Sequence, residues 1–376
     1  MSEYQYYEFQ AIDRPLDASA QQALRNLSTR ARITATSFTN SYEWGDFKGN
    51  PDTLMDNWFD LHLYLANWGS RRLMIRLPKR FVDQMEITAL LVDVDVATTR
   101  IAGNNLILDI SAEEVDTDGD FDDGSGWLAA LGPLRADLMR GDLRCLYLLW
   151  LTAVADGVFE ADEPEPLPGI GPLTGALKSL ADFIGLDQDL VAAAADRTAA
   201  VEIAAPTQAA MRDAIASWGD ADKIAYLIRM IDGDPHVVTD LQRQVQSQST
   251  PDASEPAIAR TVADLQRRAR ELGREREKVI ADAREKARSD RIATEKAAQR
   301  TRINALAARG ERVWSDIEAE IERRNAQGYD RAAEMLSDLK ALAASRGETA
   351  DFTHQLMTLR ETHSRKAGFV KRLTEL

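Results

Sequence analysis

Apolar and polar residues alternate at the start of the chain. Across 4–12 (YQYYEFQAI), Tyr7, Phe9 and Ala11 fall on one face and Tyr6, Glu8 and Gln10 on the other. That period of two predicts a strand, closed by Asp13-Arg14-Pro15. Spacing turns helical over 16–30, with Asp17 or Ser19 as N-cap. Residues 31–44, rich in Thr, Ile and aromatics, predict the next strand, 45–51 a loop and 52–63 a helix. Short strands follow at 63–68, 71–77, 89–96 and 106–110. Strands and helices alternating through short connections predict a compact α+β domain over 1–112.

From 127 the periodicity is helical. Two helices fill 127–155, and the second (143–154) is apolar nearly all round, which predicts burial and makes Cys145 a core residue. Amphipathic helices at 174–184, 188–195, 208–218, 220–230 and 235–245 complete an all-helical domain over 127–246. The acidic, glycine-containing stretch 113–126 reads as a linker, and 162–172 (DEPEPLPGIGP) as a semi-rigid proline-rich connector. Asp116, Asp118 and Asp120 have the spacing of a calcium loop's first ligands. Phe121 stands where that loop needs Gly and Trp127 where it needs Glu, so the linker reading is kept. Gly169, Gly171 and Gly175 have neither the spacing nor the preceding strand of a dinucleotide loop.

One long helix is predicted over 257–309, roughly 80 Å at 1.5 Å per residue, with Pro256 before it, Gly310 after it and only Gly273 inside. Ile258, Val262, Leu265, Ala269, Leu272, Val279 and Ala283 form a narrow apolar seam, broken at Arg276. The seam predicts a coiled-coil arm that weakens beyond Ala283. A tail over 311–376 follows, with helices at 311–324, 329–345, 350–363 and 367–373.

Charge sharpens this picture. The chain carries net −15, but 101–256 holds −19 and 257–310 holds +7. Blocks of opposite sign predict either internal pairing or a face kept for an anionic partner. Nucleic acid is the less favoured partner, because the basic helix lacks interleaved aromatics and carries eight acids of its own. A single cysteine precludes an internal disulfide and a multi-cysteine metal site. The opening MSEYQYYEFQ has no secretory pattern and the longest apolar run (145–155) is too short to span a bilayer, so a cytoplasmic protein with no membrane contact is expected.

The runs YQYYEFQAIDRPL, LSTRARITATSFTNSYEWGDFKGNP and YLANWGSRRLMIRLP resemble the opening of a bacterial protein family without established biochemistry, and GDLRCLYLLWL and YDRAAEMLSDLKALAASRG are similar to its later parts. The tail also resembles the terminal helical hairpin of bacterial SWIM-type zinc-finger proteins. With only Cys145 the chain departs from that family's zinc site, so no metal chemistry carries over.

No nucleophile–base pair or phosphate-cradling loop is visible, and the four histidines are scattered. The candidate binding surface is therefore placed on the N-terminal loops, where a rigid scaffold can present side chains. It comprises Asp13, Arg14, Trp44, Asp46, Lys48, Asn67, Trp68 and Arg71, with Arg30 and Arg32 as an anion-holding pair. Against this, Trp44 and Trp68 also suit hairpin packing, and Asp46 and Asn67 are common turn formers. The expected function is a non-enzymatic scaffold with a protein partner and with homodimerisation through 258–279. The alternatives are a nucleic-acid-processing accessory using the basic helix, or an enzyme with its site in the N-terminal domain. No cofactor or metal is expected.

Overall fold

In the computed structural model, which describes residues 3–115, 122–197, 207–249, 259–310 and 312–373, the chain forms two compact units, Met1–Glu275 and Arg276–Leu376. The first is built on a seven-stranded antiparallel sheet. Its strands are β1 (Gln5–Gln10), β2 (Arg32–Ile33), β3 (Ser37–Tyr42), β4 (Leu61–Ala66), β5 (Arg71–Pro78), β6 (Ala97–Ala102) and β7 (Asn105–Ala112), in the order β2-β3-β1-β4-β5-β7-β6. An α+β front followed by helices, a long helix and a helical tail is the class the periodicity predicts.

Alternation along each strand divides the apolar side chains between two faces. Phe9, Phe38, Met74 and Ile107 point to one face and are covered by the helices Ala18–Leu27 and Pro51–Asn57. Leu61, Leu63, Leu73, Ile75, Leu106 and Leu108 point to the other, under Trp127–Leu131, Pro133–Met139, Arg144–Ala155 and Gly175–Phe183. Caps fix the helix starts: the side chain of Asp17 accepts from Ala20 N at 2.7 Å and that of Thr174 from Leu177 N at 3.2 Å. As expected, Arg144–Ala155 is buried almost throughout, with Cys145 inside the core.

Several expectations need correction. The predicted strand 31–44 is two strands, because Thr34 N donates to Ser37 O and closes a tight turn at 34–37. The predicted helix 52–63 stops at Asn57, and Leu61, Leu63 and Leu65 belong to β4. In place of a strand at 89–96 lies the helix Gln84–Leu90, capped by Asp83, and a turn with Asp93 in the left-handed region at φ 61°. The front and helical parts are not separate domains, since a single apolar cluster runs from Tyr6 through Val191 and Ala194 to Val262. The described ends of the predicted acidic linker are docked rather than free. Val115 N donates to Gly69 O, and the Asp122 carboxylate accepts from Trp127 Nε1 at 2.7 Å. Asp116, Asp118 and Asp120 lie outside the described residues.

The proline-rich stretch is no free connector either. Glu165 is buried, its carboxylate accepting from Tyr147 Oη at 2.8 Å and from Arg260 Nη2 at 2.8 Å, while Pro164 bridges to Thr261. These contacts lead into the long helix, Val262–Arg309. Residues 257 and 258 lie outside the described residues. Val262 and Leu265 are buried in the core of the first unit, and Ala269 packs against it. The front of the predicted coiled-coil seam is therefore occupied by the chain itself. Gly273 lies at the end of this docked stretch, where a Cβ would stand 2.8 Å from Asp189 Oδ2 and displace that side chain.

In the second unit Leu306, Val313, Ile317, Ile321, Leu336, Phe352 and Phe369 form a separate core among the end of the long helix and Arg312–Glu322, Ala326–Arg346, Thr349–Thr362 and Ala367–Leu373. No helix among the described residues is long and apolar enough to cross a membrane.

Candidate functional site

A cleft of about 1200 Å³ opens where β1 and β5 end and β4 and β7 begin. Its floor is ionic. The Asp60 carboxylate, fully buried, accepts from Ile12 N (2.6 Å) and Asp13 N (2.9 Å) through one oxygen and from Arg76 Nη2 (2.8 Å) through the other. Arg135, buried on Pro133–Met139, donates through Nε to Arg76 O at 2.8 Å and through Nη2 to Asp13 Oδ2 at 2.7 Å. Two carboxylates and two guanidiniums, all largely withdrawn from solvent, thus satisfy one another. That is the condition for charges to persist out of water.

The opposite wall comes from the turn after the helix Asp220–Ile231. His236 Nε2 donates to Asp13 Oδ2 at 3.1 Å, and its ring meets Phe81 edge-on at 5.3 Å. Arg229 pairs with Asp234 (2.7 Å) and Asp240, and Arg80 lies 3.5 Å from both of those carboxylates. Burial would push the Asp13 carboxyl up, but the hydrogen bonds and charges of His236 and Arg135 outweigh it and hold it at about 2. Asp13 is therefore anionic throughout the neutral range and cannot shuttle a proton there.

Two cations in the cleft, Arg14 and Lys79, are exposed and have no ion pair among the described residues. They stand near Asn104, Asn105 and Trp58, an arrangement that suits an anion beside a flat apolar wall. Among the described residues lining the cleft there is no Ser, Thr or Cys to act as a nucleophile.

Only Asp13 and Arg14 of the ten candidate residues reach this cleft. Trp44 (78 % exposed), Asp46 and Lys48 lie in the loop after β3, and Asn67 and Trp68 in the β4–β5 turn, all at the other end of the sheet. Several serve packing there. Asp46 accepts from Gln5 Nε2, Asn67 Oδ1 from Tyr4 N, and Trp68 Nε1 donates to Ser70 Oγ, at 2.9–3.0 Å. Arg71 is not a surface residue. It is buried, donates to the carbonyls of Asp182 and Phe183, and stacks its guanidinium over Trp127 and Phe183. Arg30 and Arg32 are exposed beside the edge strand β2 and hold nothing in common with the cleft. The groups that sequence reasoning missed, Arg76 and His236 in the cleft and Asp60 and Arg135 beneath it, come from four separate segments.

A second feature is convex. Every residue from 274 to 300 of the long helix is exposed, including Val279, Ile280 and Ile292. Compared with known proteins, the chain matches no family model, no curated protein and no solved structure.

Proposed function

We propose that this chain is a non-enzymatic interaction protein that engages a protein partner along its long helix. The observation that carries the reading is the unbroken exposure of residues 274–300. A helical stretch of this length that buries no face in its own chain draws no tertiary stabilisation along that length, and propensity alone supports it poorly. The cleft argues in the same direction, because Asp13, Arg135 and His236 are engaged with one another and no Ser, Thr or Cys is among the described residues lining it.

Deleting 257–309 would be a poor test, since it strips Val262 and Leu265 from the first unit's core. Arg284, Arg288 and Arg291 are exposed and share a helix face. The test is affinity capture from the native host with the full chain and with the triple variant Arg284→Glu, Arg288→Glu, Arg291→Glu, each with and without nuclease. Protein partners that survive nuclease and are lost with the variant agree with the proposal. Capture that nuclease abolishes supports the nucleic-acid alternative, and that binding would also weaken steeply with salt.

The cleft favours a second reading, binding of a small anion by Arg14 and Lys79. Titration calorimetry with phosphate and with citrate tests it: binding should vanish in Arg14→Ala, Lys79→Ala, and heat unchanged by those substitutions would end it.

A further inference from the structure

The cleft at the sheet end carries charges of both signs that the described residues leave unanswered. On the sheet side, Arg14 and Lys79 are exposed and have no ion pair among the described residues. On the opposite wall, in the turn after Asp220–Ile231, Asp232 is likewise exposed and without an ion pair, while Arg229 and Asp234 beside it hold each other. The remaining lining carboxylate without an ion pair, Asp17, caps the first helix by accepting from Ala20 N at 2.7 Å. Asn104 and Asn105 also line the cleft, and their side-chain amides make no hydrogen bond among the described residues. A bare anion uses only part of this set. Phosphate or citrate fills a small fraction of about 1200 Å³, and a polyphosphate would bring several negative charges against Asp232.

We propose that the cleft captures a short peptide with both ends free. Its terminal carboxylate sits on Arg14 and Lys79, its terminal ammonium at Asp232, and an aromatic last side chain against Trp58. The Asn104 and Asn105 amides each offer a donor and an acceptor, which is what the peptide groups in between require. Length fits as well as charge. A volume of that size is roughly 10 Å across, and an extended tripeptide spans about that distance at ~3.5 Å per residue. A single amino acid, with both charges on one carbon, does not reach both walls. The proposal rests on the anion reading of Arg14 and Lys79, and adds to it a positive group and a length for the ligand.

Titration calorimetry of the full chain with glycyl-glycyl-tyrosine, its N-acetylated form and its C-terminal amide tests it. The free tripeptide binds tightest. Blocking its amine weakens binding about fivefold, the size of one exposed opposite-charge pair, and blocking its carboxylate about tenfold. Asp232→Asn, at an exposed position without an ion pair, weakens the free tripeptide about fivefold and leaves the N-acetylated form unchanged. Arg14→Ala, Lys79→Ala weakens both forms alike. Equal binding of the free and N-acetylated peptides, or a free tripeptide indifferent to Asp232→Asn, overturns the proposal. Binding of phosphate or citrate without binding of the tripeptide also overturns it and leaves the anion reading standing. If phosphate, citrate and tripeptide all fail to bind, both readings fall.

Discussion

Asp60 is fully buried beneath the cleft, and its carboxylate accepts from the backbone of Ile12 and Asp13. Replacing it with Asn leaves Arg76 and Arg135 facing a neutral group in low dielectric, and loss of one partner from a buried pair costs about 3–5 kcal/mol. Urea denaturation of Asp60→Asn should show a loss of that size; a change under about 1 kcal/mol would mean that water already compensates the network. His62 gives a second residue-scale prediction. It stacks on Phe9 at 4.0 Å, donates through Nδ1 to Glu8 O at 3.1 Å, and Nε2 has no protein partner among the described residues. Burial, aided by the Arg72 charge and only partly offset by the Glu8 carbonyl, lowers its pKa from 6.5 to about 3. Between those values the unfolded chain takes up a proton that the folded chain refuses, so stability is present above pH 6.5 and lost as pH falls towards 3. His62→Phe should flatten that acid limb, by at most about 1.4 kcal/mol per pH unit. Unfolding curves from pH 7 to 4 decide it, and an unchanged slope would assign the acid sensitivity to other groups. Of the groups around the cleft, only Asp13 and Arg14 were legible at this scale. Asp60 was hidden inside the predicted helix 52–63, and the signal that could have found Arg76 is a charge interrupting an apolar strand, which calls for a buried partner. Arg135 and His236 carried no such signal, because nothing local ties them to Asp13.

Elements were most legible where a cap and a periodic face coincide. Gln188–Ala195 begins at a capping Asp187 and matches the predicted bounds, and Gly175–Phe183 behind Thr174 falls within a residue of them. One misreading falls where two elements abut without a glycine or proline between them. The helix Pro51–Asn57 passes into β4 through Trp58-Phe59-Asp60, and apolar residues on both sides of that junction mimic one longer helix. The front of the long helix's seam has an occupant other than a second copy, since the period gives the face and not the occupant. Val262 and Leu265 face this chain's own core. Leu265→Ala should therefore cost about 2–5 kcal/mol and reduce hydrogen-exchange protection across 262–275. Full protection with no loss of stability would mean that the helix does not depend on this docking.

For the molecule as a whole, the charge segregation resolves into two parts. The approach to the long helix and its first turns pair internally, Arg260 with Glu165 and Arg268 with Asp196 at 2.6 Å. Its continuation from 274 to 300 is exposed throughout, and the second unit holds its own core of Val313, Ile317, Leu336 and Phe369. Composition showed where the opposite charges lie, but not which are satisfied within the chain, because that depends on contacts between residues far apart in sequence. The central claim is that the exposed part of the helix engages a protein. Affinity capture with the full chain against the Arg284→Glu, Arg288→Glu, Arg291→Glu variant, both treated with nuclease, tests it most directly. The account predicts protein partners retained by the wild type and lost from the variant. An identical set of partners on both, or none on either, would contradict it.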